Sequence, residues 1–341
     1  MPRLTQPHVI TLGTAGGPKW WAAADAGERH GIATAVVVGD AFYLVDVGHG
    51  ASRRIAQAGL NLADMKAAFI THLHSDHVAD LATLGIFGIY ALGRRLGDPV
   101  KIIGPGNRGA LPPVSPIAEA PPQPIAPWSP TPGTREMFAT LMAAHATDLN
   151  DRILDALRPN PLDVFDAQDI AIPAGIGYHP NDNPTPEMDP FVVYTDDLVT
   201  VSAILVQHPP VAPAFAFRFD VHDGGSVTIS GDTAYTPNMV TLAQGTDLLL
   251  HEAIDFDWIE SQYGDKDDEP SKASKAHHYK SHTSARDAAK IAEAAGAGQL
   301  ALHHLVPGHA PSSVWEEAAA HFAGRFILPR DLDAIPFGSH R

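Results

Sequence analysis

Four side chains able to bind metal crowd into the six residues His72-Leu73-His74-Ser75-Asp76-His77, which follow Thr71. Imidazole and carboxylate suit zinc, which takes four such ligands in structural sites and keeps an open water position in catalytic ones. Residues two apart on an extended segment point the same way, so His72 and His74 share one side. Asp76 and His77 open the next helix and face elsewhere, which lets one short loop serve two neighbouring metals.

The same design recurs along the chain. A short apolar strand runs into a His or Asp at 67–71 (His72), 201–207 (His208), 227–231 (Asp232), 248–250 (His251-Glu252) and 300–303 (His304). Ligands gather at the carboxyl ends of strands, and strand ends on one edge converge, so these residues can meet in space. The chain has no cysteine and no Gly-x-Ser-x-Gly elbow. Any metal is held by His, Asp or Glu.

Stepping from these residues to the elements that carry them, apolar strands are predicted at 9–12, 34–38, 42–47, 67–71 and 100–103. After a proline-rich break, strands return at 200–206, 214–219, 226–230, 247–250 and 299–302. Helices are predicted over 51–58, from 75 through 90, over 134–146 and 149–157, and over 284–295 and 312–322. Prolines exclude regular structure from 112–132. Residues 111–190 read as an insertion or lid on a single domain spanning 1–341, and the charged stretch 264–280 reads as a mobile, solvated loop.

With 45% hydrophobic and 18% charged residues, the chain has the material for a large core. The N-terminus lacks the apolar run of a signal peptide and no stretch is long enough to span a membrane, which points to a cytoplasmic protein. The net charge of −16 disfavours a phosphate backbone as partner.

His72-x-His74-x-Asp76-His77, His208, the Ser230-Gly231-Asp232-Thr233 turn and the late His304 together resemble the metallo-β-lactamase superfamily. Leu12-Gly13-Thr14-Ala15-Gly16-Gly17, Val45-Asp46-Val47-Gly48, His251-Glu252-Ala253 and Ser281-His282-Thr283-Ser284-Ala285 are similar to the branch that holds tRNA 3′-processing endonucleases (tRNase Z) and arylsulfatase-like hydrolases. The resemblance spans nearly the whole chain. It implies an α/β fold, the four-layer αββα sandwich, and two divalent metals, zinc by preference with manganese or iron as alternatives. One metal would be bound by His72, His74 and His208, the other by Asp76, His77 and His304, with Asp232 bridging. His303 is the rival to His304. A bridging hydroxide would attack, Asp76 would orient it, and His282, oriented by Glu252, would protonate the leaving group. Asp46 is expected to support the metal loop, and His49 to be a bystander. The remaining histidines, His340 among them, stay unassigned.

For substrate, residues 111–197 carry three cations, Arg135, Arg152 and Arg158, against thirteen acids. That balance favours a small-molecule ester (sulfate, phosphate or lactone) over a tRNA, with tRNA 3′ processing and β-lactam hydrolysis as alternatives and metal-dependent redox chemistry as a reading from another class. Aromatic and apolar residues, Trp20-Trp21, Trp128, Phe138, Met142, Tyr178 and Trp258, are candidates to wall the pocket. Relatives of this type are often homo-oligomers, and that state is compatible with the sequence.

Overall fold

The computed structural model describes residues 5–25, 27–92, 98–114, 118 and 120–338. Fourteen strands form two mixed seven-stranded sheets. The first is built from β1 (His8–Gly13), β2 (Ala33–Val38), β3 (Ala41–Val45), β4 (Met65–Phe69), β5 (Val100–Pro105), β6 (Phe165–Ile170) and β14 (Ala334–Pro336), in the order β14-β1-β2-β3-β4-β5-β6. The second contains β7 (Phe191–Thr195), β8 (Val199–Leu205), β9 (Phe215–Val221), β10 (Ser226–Ile229), β11 (Leu248–Ile254), β12 (Gln299–Val306) and β13 (Arg325–Ile327), in the order β13-β12-β11-β10-β9-β8-β7.

Period-two alternation along the strands makes the layers. Ala67 and Phe69 of β4 face Phe215, Phe217 and Phe219 of β9 in a core between the sheets. Their neighbours Ala68 and Ile70 face outward onto the helices Ala51–Gln57, Leu81–Leu92 and Thr134–Ala144. On the other side, Ala214 and Ala216 meet the helices Pro237–Ala243 and Ala285–Ala295. The latter buries Ala285, Ala288, Ala289, Ala292 and Ala295, the i, i+3, i+4 stripe of an amphipathic helix, and is capped by the Ser284 side chain, which accepts from Asp287 N at 3.1 Å. Three apolar layers between four layers of structure make this an αββα sandwich.

Direction matters more than order for the site. β3 and β4 are parallel, β10, β11 and β12 are parallel, and β8 is antiparallel to β9, which is antiparallel to β10. Within each sheet, therefore, the strands that carry the candidate ligands end at the same edge.

Several elements differ from the sequence expectation. The stretch 264–280 is not a loop: the helix Glu269–Ser281 fills most of it, capped by Asp268, whose side chain accepts from Ser271 N at 3.0 Å. Its Lys275 and Tyr279 both donate to Glu260, and Tyr279 stacks on Phe256 with ring centres 4.4 Å apart. The helix buries only Ser281, so it has no apolar stripe for periodicity to detect. The predicted helix 75–90 is two, Ser75–Val78 and Leu81–Leu92. Strands β6 and β7, unpredicted, are half-exposed edge strands, and within 111–190 β6 pairs with β5 while Phe138, Met142 and Leu149 join the first sheet's outer core. The described part of 112–132 forms no helix or strand, and residues 115–117, 119 and 340 lie outside the described residues.

Candidate metal centre

His77, His72, His208 and His304 are each fixed by a specific local device. Asp46 follows β3 with φ of 60°, a left-handed conformation that non-glycine residues adopt at a cost. Its carboxylate accepts from Thr71 N and Thr71 Oγ1, each at 2.8 Å, and from His77 Nδ1 at 2.7 Å. Holding the Nδ1 proton of His77 aims its Nε2 lone pair inward. Thr71 Oγ1, its proton given to Asp46, can accept from His72 Nδ1 at 3.1 Å. His208 Nδ1 donates to the Ser281 carbonyl at 2.8 Å. With Nδ1 of each ring engaged, Nε2 is the atom each presents to the cluster. Against its burial, Asp232, Asp46 and Asp76 raise the pKa of His77 well above the ordinary imidazole value, so a cation there would take the place of its Nε2 proton.

His304 is reached differently. β11 and β12 slip register after Glu252, which pairs with His303, while Ala253 pairs with Leu305. His304 is the extra residue of this bulge, at φ of 47°. The bulge turns its ring toward Asp76 and Asp232, while neither ring nitrogen of the buried His303 finds a partner. Between the two histidines left open by the sequence, it is His304 that joins the cluster.

The donor atoms form two quartets that share Asp232. In the first, Nε2 of His72 and of His208 each lie 3.1 Å from Nδ1 of His74 and 3.9 Å from Asp232 Oδ2. In the second, His304 Nε2 lies 3.3 Å from Asp76 Oδ2 and 3.2 Å from Asp232 Oδ1, while His77 Nε2 lies 3.3 Å from Asp232 Oδ1 and 3.6 Å from Asp76 Oδ2. A tetrahedral ion with ligand bonds near 2.05 Å holds its donors roughly 3.3 Å apart, and the separations here, 3.1 to 3.9 Å, bracket that value. His77 Nε2 and Asp232 Oδ1 are also buried without a hydrogen-bond partner. Orphaned buried atoms of this kind are costly unless something binds them, and a cation between them removes the cost.

Electrostatics follow the same division. Burial pushes His72 and His208 well below the ordinary imidazole pKa and lowers His74 as well, so these rings are neutral donors. Burial works against ionisation of Asp232 and Asp76 too, but His304 and His77 around Asp232, and His77 and His304 around Asp76, hold both carboxyls below their usual range.

Beside the quartets, His282 Nδ1 lies 3.0 Å from Glu252 Oε1, which also accepts from Thr233 N at 2.9 Å. Against burial, the Glu252 carboxylate raises His282 to about 9. With Nδ1 tied to Glu252, the ring's other nitrogen is free; its centre is 5.0 Å from that of His208. His277 and His278 lie near it but outside both quartets.

All the residues singled out for metal binding and proton transfer are therefore neighbours. Of the aromatic candidates, Trp20 and Trp21 line a cavity of about 320 Å³ that opens beside Asp76, together with Gly17, Lys19, His30 and His49. His49, expected to be a bystander, contacts Trp20 edge-on there. Phe138 and Met142 are core residues, Tyr178 packs against the inter-sheet core, Trp258 packs on Trp21, and Trp128 is exposed. The sequence reading missed Gly16, Thr71 and the Ser281 carbonyl. The Gly16-Gly17 pair was a usable signal for the first; a backbone carbonyl leaves none.

Fold and cluster together define a metal-dependent hydrolase of the metallo-β-lactamase fold. Its relatives narrow the class. Ribonuclease Z from Mycobacterium sp. (strain KMS) is 31% identical over 331 residues, covering 96% of this chain and 95% of the relative. Human tRNase Z, short form, superposes with a TM-score of 0.60 at 18% identity over 97% of this chain and 100% of that one. The metallo-β-lactamase fold protein YhfI from Bacillus subtilis superposes with a TM-score of 0.57 at 18% identity over 96% and 98%. Residues 32–103 match a family described as Anti-Pycsar protein Apyc1. The chain belongs to the ribonuclease Z family of metallo-β-lactamase-fold proteins. That membership weakens the expectation, drawn from net charge, that nucleic acid is an improbable partner. Among the described residues no helix is long and apolar enough to cross a membrane.

Proposed function

We propose that the protein is a dinuclear metal-dependent phosphodiesterase, and that its substrate is the 3′ end of a tRNA, the reading that its ribonuclease Z and tRNase Z relatives support. The observation that carries the reading is Asp232, whose two carboxylate oxygens each face a separate set of three candidate ligands. His72, His74 and His208 would hold one metal, and Asp76, His77 and His304 the other. The donor set, nitrogen and oxygen without sulfur, suits zinc. Such a pair lowers the pKa of water toward neutrality and offsets charge building on a phosphoryl group.

The chain's own residues supply positioning and protons. Asp76, kept ionised by His77 and His304, has its Oδ2 fixed by Gly17 N at 2.9 Å and is placed to orient an attacking water. His282, protonated at neutral pH through Glu252, offers its free nitrogen's proton to the departing oxygen. Gly17 and Asp76 also line the cavity beside Trp20 and His49, which supports reading that cavity as an approach to Asp76.

A second reading is a small phosphodiester, favoured by the thirteen acids against three cations in 111–197 and by the modest cavity. On this reading the proline-rich segment from 111 acts as a wall or lid; Pro112, Pro130 and Pro132 line a cavity of about 260 Å³ with Leu73 and Pro210, next to the ligands His72, His74 and His208. The deciding experiment offers zinc- or manganese-loaded protein a pre-tRNA with a 3′ trailer, bis(p-nitrophenyl) phosphate, an aryl sulfate, a lactone and a β-lactam. Cleavage of the pre-tRNA at its 3′ trailer supports the first reading, and turnover of the diester alone supports the second. Hydrolysis of the sulfate, lactone or β-lactam with both phosphodiesters inert overturns both.

A further inference from the structure

Next to the two quartets stands a third histidine group that the hydrolytic reading leaves unused. His278 lies in the last turn of the helix Glu269–Ser281 and His277 directly before it, and His282 caps its C-terminus. Their ring centres form a nearly equilateral triangle, with sides of 5.5 Å (His277–His278), 6.0 Å (His277–His282) and 5.9 Å (His278–His282). Three imidazoles bound tetrahedrally to one ion hold their centres roughly 5 Å apart. The rings of His72, His74 and His208 give an internal yardstick at 4.6 to 5.0 Å. One nitrogen from each of His277, His278 and His282 already lies within 4.8 Å of the other two, and His278 Nδ1 is buried without a hydrogen-bond partner.

We propose that His277, His278 and His282 form a third, weaker divalent-cation site at the edge of the metal cluster, and that a cation bound there silences the enzyme by replacing the proton on the nitrogen of His282 not tied to Glu252, that proton passing to solvent. The silencing rests on the role given to His282 above. The site itself rests on the triangle. Its slightly wide spacing and the nearby Lys19 ammonium make it weaker than the quartets. An all-imidazole set selects zinc, copper, nickel or cobalt over magnesium and calcium. The helix is anchored by the Asp268 cap and by the Glu260 and Phe256 contacts, none of which involves the two helical histidines.

The test counts metal in the full chain by equilibrium dialysis against zinc, comparing the wild type with His277→Gln and His278→Gln. Each variant is expected to take up one equivalent fewer at saturation, and equal uptake by wild type and variants overturns the site. The total tests the dinuclear reading separately from the difference. In parallel, excess zinc but not magnesium is expected to lower wild-type turnover of a cleaved diester by on the order of a hundredfold, the scale of losing a general acid, and to spare the variants. Uptake of the extra equivalent with undiminished turnover overturns the silencing. If no diester is cleaved at all, the hydrolytic reading fails and the count still decides the site.

Discussion

Gly16 lies so close beneath the His304 imidazole that a Cβ added to it would sit 2.3 Å from ring atoms Cε1 and Nδ1. The contact is held from the backbone, since Gly16 N donates to Leu305 O at 3.1 Å and Leu305 N to Thr14 O at 2.8 Å. The glycine-rich segment after β1 is thus part of the candidate metal centre without supplying a candidate ligand. Gly16→Ala is expected to push His304 out of its quartet and lower metal content by about one equivalent per chain while the first quartet stays filled. Elemental analysis of the purified variant checks this.

Asp46 links the metal loop to β3 through three hydrogen bonds to Thr71 and His77. Asp46→Asn keeps the shape but sets an amide NH₂ against a donor. Metal affinity is expected to fall about 10- to 100-fold, as for other groups that orient a ligand, and stability by about 1–3 kcal/mol. Chelator competition and urea unfolding measure the two effects.

His282→Ala is expected to retain the metals of both quartets and lose about 10²- to 10⁴-fold in turnover. The pH profile gives the sign. Because Glu252 raises His282 to about 9, the acid form is present below that pH and disappears as pH rises through it. Wild-type turnover should therefore fall on the alkaline side near 9, Glu252→Gln should move that limb to lower pH, and His282→Ala should lack it.

Asp232 is shared by both quartets, so Asp232→Ala is expected to lose both metals and all turnover. Chelation of the wild type tests the same coupling: it is expected to leave His77 Nε2 and Asp232 Oδ1, buried without hydrogen-bond partners, unsatisfied. With metal at about 1,000 times its dissociation constant, its removal costs about 4 kcal/mol per site, visible as a lower melting temperature.

The candidate ligands were legible because each stands in a pattern the backbone dictates: an apolar strand followed by His or Asp, with parallel neighbours carrying the ends to one edge. The inner strands were legible for the same reason, since burial on both faces leaves continuous apolar runs. Edge strands β6 and β7 expose much of their surface and read as polar loop. The helix Glu269–Ser281 was hidden because its cap and its contacts with Glu260 and Phe256, rather than an apolar stripe, hold it. The bulge at His304 depends on the register between β11 and β12, which no local spacing encodes. The charge count in 111–197 spoke against RNA, whereas the family relationship speaks for it; net charge describes the solvated surface and not the few contacts that seat a phosphate.

The most direct measurement is anomalous X-ray scattering at the zinc edge from crystals of protein loaded with zinc and then dialysed to remove weakly bound metal. Two peaks on either side of Asp232, one among His72, His74 and His208 and the other among Asp76, His77 and His304, are the predicted result. No peak at Asp232, or zinc bound only elsewhere on the chain, would contradict the account.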